Sequence, residues 1–120
     1  MIFVLRRKYE KNKYNKKNID FSRIINNNKS FKYKDYIIYK EENNDKIYKF
    51  GISVSKKIGN AVVRNRLKRQ IKSIIDGKSY ENSFNCIIIL RKGIIKKDFY
   101  SMKKELYDAF EILNIIKEDK

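Results

Sequence analysis

The sequence predicts a single α+β domain, an α/β sandwich in which helices pack on a mixed sheet. Stretches with an apolar period of two alternate along the chain with stretches whose apolar residues recur every three or four positions. The length of 120 residues suits one compact unit with one hydrophobic core. The predicted order of elements is helix, strand, strand, helix, strand, helix.

The chain divides into three predicted parts. Residues 1–18 are rich in lysine and arginine, contain Glu10 as their only acidic residue, and keep no helical or strand period. We therefore expect a disordered basic tail. A single domain follows over residues 19–116, and residues 117–120 form a charged C-terminal end.

The first half of the domain begins with a short helix and continues as strands. Asp20 is a typical helix cap, and the apolar spacing that follows it predicts an amphipathic helix over residues 20–28. Alternation then predicts a strand over 31–40, with one face formed by Phe31, Tyr33, Ile37 and Tyr39. A second alternating stretch covers 48–54. Because a polar turn separates the two stretches, we expect an antiparallel hairpin.

The second half of the domain contains a helix, a strand and a helix. Gly59 and Asn60 precede a helical pattern over 61–75, whose apolar stripe is Val63, Leu67, Ile71 and Ile74. Cys86–Leu90 is a short apolar run that indicates a buried central strand, and Asp98 precedes a final helix whose stripe extends to Ile116. A strand, a helix and a strand in this order form a βαβ crossover, which predicts that the two strands are parallel.

The charge balance narrows the classes of function. Lysine and arginine number 30 against 14 acidic residues, giving a net charge of +16, and there is one cysteine and no histidine. This composition excludes a disulfide framework, a Cys/His zinc site and any catalytic dyad or triad with a histidine base. A lone thiol and the lack of a long apolar run predict a soluble cytoplasmic protein. The excess of cations predicts a polyanionic partner.

The segment from Lys56 to Lys72 concentrates this charge, since it contains no acidic residue. Gly59 allows a sharp turn or a close approach to a phosphate, and the helix N-terminus that follows attracts anions. The forked N–H donors of Arg64 and Arg66 suit phosphates, and Asn65 can donate and accept hydrogen bonds with a base edge or a ribose hydroxyl. A merely solvated helix face remains the alternative. With a basic pair that ends the third strand, the candidate RNA-binding residues are Lys56, Lys57, Asn60, Arg64, Asn65, Arg66, Lys68, Arg69, Lys72, Arg91 and Lys92.

Residues 51–69, GISVSKKIGNAVVRNRLKR, resemble the signature of the bacterial ribonuclease P protein family. The centre of the match is the Arg-Asn-Arg triplet at 64–66, followed by Lys68 and Arg69. The resemblance extends over roughly residues 19–113, through the first helix, the first strand and the C-terminal strand and helix.

This resemblance implies the protein subunit of a ribonucleoprotein endoribonuclease that gives tRNA its mature 5′ end. The subunit would bind the catalytic RNA, one protein per RNA, and the 5′ leader of precursor tRNA. Mg²⁺ held by RNA would carry out hydrolysis, and the protein would contribute no catalytic residue. The implied fold is that of a domain of a small-subunit ribosomal protein and of the translocating elongation factor, with a rare left-handed crossover where the general rule gives a right-handed one.

The resemblance also implies a cleft for the leader. In the family, two aromatics on the first helix and one on the first strand line this cleft, and the matching residues are Phe21, Ile25 and Tyr39. Ile25 departs from the pattern because it has no flat ring for base stacking, so we expect a weaker contact there. For Ile25 the alternative is a merely hydrophobic contact, and for Phe21 and Tyr39 it is ordinary core packing between helix and sheet.

Two other functions and a metal site are alternatives to this prediction. A structural rRNA-binding domain would share the fold, and the Arg-Asn-Arg segment distinguishes the two. A peripheral membrane protein would need an amphipathic stripe that the tail lacks. Glu41, Glu42 and Asp45 could suggest a metal cluster, but polar turns are rich in such residues, and no metal site is predicted.

Overall fold

The computed structural model of the chain describes residues 2–7, 20–44, 46–81 and 83–117, with the side chains described from residue 20 onward. Its strands and helices follow one another as β1 (Ile2–Arg7), α1 (Phe21–Asn27), β2 (Phe31–Tyr33), β3 (Tyr36–Glu42), β4 (Tyr48–Ser53), α2 (Ala61–Asp76), β5 (Phe84–Leu90), a 3₁₀ helix (Lys92–Lys96) and α3 (Phe99–Ile112). The predicted α+β class is confirmed, and so are all three predicted helices.

The strands form one mixed sheet of five strands in the order β1-β4-β5-β3-β2. Strands β4 and β5 are parallel, as the crossover predicted, and the other neighbouring pairs are antiparallel. The central position of β5 follows from its sequence, because side chains on both of its faces are apolar and buried.

The predicted hairpin between the strands at 31–40 and 48–54 is wrong. β3 and β4 run in opposite directions, but β5 lies between them and pairs with both. The connection between β3 and β4 holds the start of β5 instead: the Asn43 N–H donates to the Ser83 carbonyl at 2.9 Å, and the Ser83 N–H donates to the Ile47 carbonyl at 3.1 Å. The strand that is apolar on both faces takes the place between its more polar neighbours.

The predicted strand over 31–40 is in fact two strands, β2 and β3. A two-residue turn separates them, and its first residue, Lys34, has a φ of 54°, which no glycine or asparagine signals in the sequence. Residues directly opposite in an antiparallel pair share a face. Phe31 and Tyr33 therefore lie on the face of their partners Ile38 and Tyr36, and not with Tyr39 as the alternation predicted.

The structure also differs from the predicted disordered tail over residues 2–7. This segment is the strand β1, which pairs antiparallel with β4 along an edge of the sheet. The run Ile2–Leu5 is β-branched, aromatic and aliphatic, which favours a strand, and β4 offers it an open edge. Residues 8–19 of the predicted tail and residues 118–120 of the predicted charged end lie outside the described residues.

Helices cover the two faces of the sheet unequally. The face under α2 and α3, which we call the core face, carries Tyr36, Ile38, Phe50, Ile52, Cys86 and Ile88, all fully buried. Burial there raises the pKa of the Cys86 thiol to about 12, as expected for a packing residue. On the opposite face, which we call the α1 face, the fully buried hydrophobic side chains among the described residues are Ile24 and Ile87, and Phe21, Ile25, Tyr39 and Ile89 pack partly exposed around them.

The two long helices are closed by side-chain and backbone hydrogen bonds. Helix α2 begins at the Asn60 cap and α3 at the Asp98 cap. Two tyrosines close the C-terminal turn of α2: the hydroxyl of Tyr80 donates to the Ile75 carbonyl at 2.7 Å, and that of Tyr107 to the Ile74 carbonyl at 2.6 Å. Helix α3 ends at Ile112 and not at Ile116 as its stripe predicted, because the chain turns at Asn114, whose φ is 62°.

Candidate nucleic-acid interface

The connection from β4 to α2 is an ordered loop that carries two exposed lysines, Lys56 and Lys57. The Lys57 N–H donates to Ser55 Oγ at 2.9 Å, and the buried Ile58 donates its N–H to the Ser55 carbonyl at 3.0 Å. Gly59 does not serve a left-handed turn, since no glycine in the described chain has a positive φ. A Cβ at Gly59 would lie 2.9 Å from Val63 Cγ1, so its role here is close packing against α2.

The first turn of α2 uses two of the predicted RNA-binding residues for internal contacts. Asn60 Oδ1 accepts from the Val63 N–H at 3.0 Å, so this oxygen is engaged in the helix cap. Arg64 is half-buried, and its Nη1 donates to the Gly59 carbonyl at 3.0 Å. Arg64 thus binds the loop back onto the helix.

The remaining cations of α2 form an outward surface. Asn65, Arg66, Arg69 and Lys72 are exposed, while Lys68 is half-buried. Leu67 and Ile71, on the other side of the helix, are buried in the core. The predicted division between a packing stripe and a basic stripe is therefore confirmed in the geometry of α2. This surface could bind a polyanion without disturbing the core.

Arg91 and Lys92 lie at the same end of the strands as the start of α2, namely at the C-terminal ends of β4 and β5. Both are exposed and directly follow β5, and α2 follows β4, whose C-terminal end lies beside that of β5 because the two strands are parallel. The Arg91 N–H donates to the Asp35 carbonyl at 2.9 Å, which fixes the pair beside the β2–β3 turn. The topology thus brings together two basic segments that are distant in sequence.

Acidic groups near this end of the strands are paired. Lys97 Nζ lies 3.2 Å from Asp35 Oδ2 and 2.7 Å from Glu105 Oε2, and the hydroxyl of Tyr36 donates to Glu105 at 3.1 Å. The hydrogen bond to Glu105 is the first cause of a raised pKa of Lys97. These ion pairs engage Asp35 and Glu105 internally, while Arg91, Lys92 and Lys34 of the turn are exposed.

The three predicted leader-cleft residues come together on the α1 face. Phe21, Ile25 and Tyr39 all pack, partly exposed, around the buried pair Ile24 and Ile87. The ring of Phe21 lies on the backbone of β4, since a Cβ at Gly51 would be only 2.5 Å from its Cζ atom. One edge of an apolar cluster is therefore open to solvent beside α1.

A polar network borders this cluster, and sequence reasoning did not assign it. Arg23 of α1 donates through both terminal nitrogens to the carboxylate of Glu41, one of the distances being 3.1 Å. Asn85 Nδ2 donates to Glu41 Oε1 at 3.0 Å. The bond from Arg23 is the first cause of a lowered pKa of Glu41, and the bond from Asn85 adds to it.

The sequence contains a signal for this network. In β3, Glu41 follows Tyr39 by two residues, so alternation places both on one face of the sheet. Lys49 lies on the same face, since it pairs in register with Asn85, and it is 9% exposed. Polar residues at alternating positions beside an apolar cluster indicate a polar binding surface and not a purely hydrophobic core.

Among the described residues, no group of three or more acidic, cysteine or histidine side chains could hold a metal ion. Glu41 is bound to Arg23, Glu42 is 84% exposed, and Asp45 lies outside the described residues. None of the helices in this part of the chain is long and apolar enough to cross a membrane.

The chain is similar over most of its length to known sequences of one family. Residues 9–114 match the family model described as Ribonuclease P. A ribonuclease P protein component of Mycoplasma mycoides is 43% identical over 108 residues, which cover 88% of this chain and 94% of that protein. The corresponding protein of Listeria welshimeri is 39% identical over 115 residues, covering 90% of this chain and 94% of the relative.

Solved structures show the same fold. The RNase P protein of Staphylococcus aureus superposes with a TM-score of 0.73 at 30% identity, covering 85% of this chain and 95% of that one. The RNase P protein of Thermotoga maritima gives a TM-score of 0.67 at 27% identity over 75% of this chain and 87% of that one.

Proposed function

The chain belongs to the ribonuclease P protein family, whose members are protein subunits that act in tRNA processing, and we propose that two of its surfaces bind different RNAs. The basic surface of α2, with Arg91 and Lys92, binds the catalytic RNA of the ribonucleoprotein, one protein per RNA. The open cluster of Phe21, Ile25 and Tyr39 binds the 5′ leader of precursor tRNA.

The observation that carries the first assignment is the outward face of α2. Four exposed polar or basic side chains, Asn65, Arg66, Arg69 and Lys72, lie on a helix whose opposite side is buried. No acidic residue occurs between Lys56 and Lys72. Phosphate contacts by such residues supply most of the affinity of RNA-binding proteins and position the RNA without reading its sequence.

The leader assignment is supported by the open side of the apolar cluster. A single strand needs aromatic faces on which to stack and a groove that it can enter. Phe21 and Tyr39 supply the rings, and both are partly exposed beside α1. Ile25 supplies an apolar contact without a ring, so this chain stacks fewer leader bases than a cleft with a third aromatic residue would.

We assign the hydrolytic step to Mg²⁺ held by the RNA and by substrate phosphates. The chain has no histidine, and the acidic side chains near the proposed surfaces form ion pairs with Arg23 and Lys97. The protein's contribution is cationic charge near crowded phosphates, which lowers the Mg²⁺ concentration that the ribonucleoprotein needs. A cytoplasmic location is part of this proposal, because precursor tRNA is made there.

Reconstitution at limiting Mg²⁺ tests the proposal. The cognate RNA is incubated with precursor tRNA in the presence and absence of the purified protein, and cleavage at the mature 5′ end is followed. We expect the protein to raise the rate and to cleave nothing by itself. Mg²⁺-dependent cleavage by RNA-free protein would contradict the assignment, and so would a rate that the protein leaves unchanged.

A further inference from the structure

We infer that Arg23, Glu41 and Asn85 form a clamp that positions α1, and with it Phe21 and Ile25, for the 5′ leader. The inference rests on the proposed function, because it concerns the same cleft. It goes beyond that function by assigning a role to three residues that touch no leader base. In this account they are positioning residues that act through the helix.

Helix α1 is short, and its contacts with the sheet other than this clamp are mostly apolar. It has seven residues, which is far fewer than an isolated helix needs for stability in water. Ile24 is its only fully buried residue, and Phe21 and Ile25 are only partly buried. These apolar contacts, including that of the Phe21 ring with the backbone at Gly51, hold the helix on the sheet, but hydrophobic contacts are not directional and fix its orientation less strictly than hydrogen bonds do.

The clamp restricts that rotation from one side of the helix. Both terminal nitrogens of Arg23 donate to the Glu41 carboxylate, so the planar guanidinium is held in one orientation. Its backbone N–H donates to Asp20 Oδ1 at 3.1 Å, which ties the same residue to the helix cap. Arg23 therefore connects the first turn of α1 to strand β3.

The acceptor side of the clamp is anchored in the sheet. Glu41 and Asn85 are register partners on β3 and β5, and Asn85 donates to Glu41 at 3.0 Å. Asn43 Nδ2 in turn donates to Asn85 Oδ1 at 2.9 Å. Asn85 is buried, with 6% exposure, so the Glu41 carboxylate is held from the sheet as well as from the helix.

The negative charge of Glu41 allows a positioning role of this residue to be distinguished from a purely electrostatic one. Glu41 is an anion beside a surface proposed to bind a polyanion, so its charge alone would repel the leader. If Glu41 acted only through charge, its neutralisation would tighten RNA binding. If it positions α1, its neutralisation weakens leader binding. The two roles predict opposite changes.

The substitution Glu41→Gln, with Glu42→Gln as its matched control, uses this difference. Both variants remove one negative charge, from neighbouring residues of β3, and Glu42 is exposed and makes only a 3.7 Å ion pair with Lys40. The measurement is the ratio of precursor to mature tRNA affinity in the reconstituted holoenzyme. We expect Glu41→Gln to lower this ratio roughly three- to tenfold. Glu42→Gln should leave it unchanged. Equal ratios in the two variants would overturn the inference.

A charge swap provides a rescue test. Arg23→Glu and Glu41→Arg should each lower the ratio, and the double variant should recover most of the loss because the pair is restored with reversed polarity. A double variant that loses as much as the sum of the two single variants would contradict the clamp.

Two further readouts separate failure of the clamp from failure of the proposed cleft. Hydrogen exchange of the α1 amides in the free protein reports on the clamp without any RNA, and it should accelerate in Glu41→Gln but not in Glu42→Gln. Tyr39→Ala reports on the cleft itself. If Tyr39→Ala leaves the ratio unchanged, the leader assignment is wrong. If Tyr39→Ala lowers the ratio and Glu41→Gln changes neither readout, the clamp alone is wrong.

Discussion

The two faces of the sheet are built from the same strands but differ in how completely helices cover them. On the core face, α2 and α3 cover aromatic and aliphatic side chains that are fully buried, including Phe50, Ile71 and Phe110. On the α1 face, one short helix buries its Ile24 against Ile87 of the sheet, and partly exposed rings and a polar network surround this pair. Burial on the first face supplies stability, and the incomplete cover of the second leaves a surface that can bind.

The contrast shows how one small domain can present a binding surface without losing its fold. Each buried aliphatic side chain contributes about 1.5–3 kcal/mol through the hydrophobic effect. Most such residues of the described chain belong to the core-face cluster. The α1 face can therefore leave apolar and aromatic side chains partly open, because most of the burial that stabilises the domain is on the core face.

The largest expected effect is a loss of stability from a cavity on the core face. Leu67→Ala should lower the free energy of unfolding by about 2–5 kcal/mol, because Leu67 is buried between α2 and the sheet. Urea denaturation measures this loss. Val62→Ala is the matched control, since Val62 is 74% exposed on the same helix, and it should change stability by less than about 0.5 kcal/mol. Similar losses in both variants would remove the distinction between the two sides of α2.

The next effect is a gain of binding on the α1 face. Ile25→Phe should tighten precursor tRNA selectively by up to about one stack, ~1–3 kcal/mol, because it adds a ring to the open cluster. The affinities of the holoenzyme for precursor and mature tRNA are compared by titration. Ile112→Phe, at an exposed position of α3, is the control and should leave both affinities unchanged. Equal tightening of both tRNAs by Ile25→Phe would place this residue outside the leader path.

A smaller effect is expected on the salt dependence of binding to the catalytic RNA. Arg69→Ala should flatten the slope of log affinity against log salt by about one unit for the lost phosphate contact. Lys103→Ala removes the same charge from the exposed side of α3 and should leave the slope as it is. If both variants flatten the slope equally, net charge and not the α2 surface governs binding.

The smallest effect is a dependence on pH that is confined to the α1 face. The pKa of Glu41 is lowered from its ordinary value of 4.5, first by the hydrogen bond from Arg23. Such a carboxylate stabilises the folded state above its ordinary pKa, and this contribution is lost as the pH falls through the lowered value. The protection factors of the α1 amides, which correct for the slower intrinsic exchange in acid, should therefore fall below about pH 4.5, before those of the β5 amides. The Glu41→Gln variant should show no such step, and a step that persists in it would assign the effect to another group.

Periodicity predicted the helices and β5 well because both depend on local pattern. Residue type alone predicts the caps at Asp20 and Asp98, and each accepts a backbone N–H at the start of its helix, whereas the capping role of Asn60 was shown by the structure. The parallel pairing of β4 and β5 followed from the intervening helix. These features are encoded within a few residues or by simple connectivity.

The pairing of strands could not be predicted in the same way. The position of β5 between β3 and β4 depends on competition among strands that are distant in sequence, and alternation within each strand does not report it. The turn at Lys34 and Asp35 has no glycine or asparagine to mark it, and the strand β1 was hidden by the charges that follow it. The three residues proposed for the leader cleft were indicated by family resemblance, while the Arg23–Glu41–Asn85 clamp became visible only once the topology placed β3 beside β5.

The claim that the core face supplies stability and the α1 face supplies binding is tested most directly at two neighbouring residues of β3. Ile38 is fully buried on the core face, and Tyr39 lies partly exposed on the α1 face. The measurement is the precursor-to-mature affinity ratio of the holoenzyme, taken together with the free energy of unfolding, for Ile38→Ala and Tyr39→Ala. We expect Ile38→Ala to cost about 2–5 kcal/mol of stability and to leave the ratio unchanged where the protein is folded. Tyr39→Ala should lower the ratio by the equivalent of about 1–3 kcal/mol with a smaller loss of stability. A ratio that Tyr39→Ala leaves intact, or that both variants lower equally, would contradict the account.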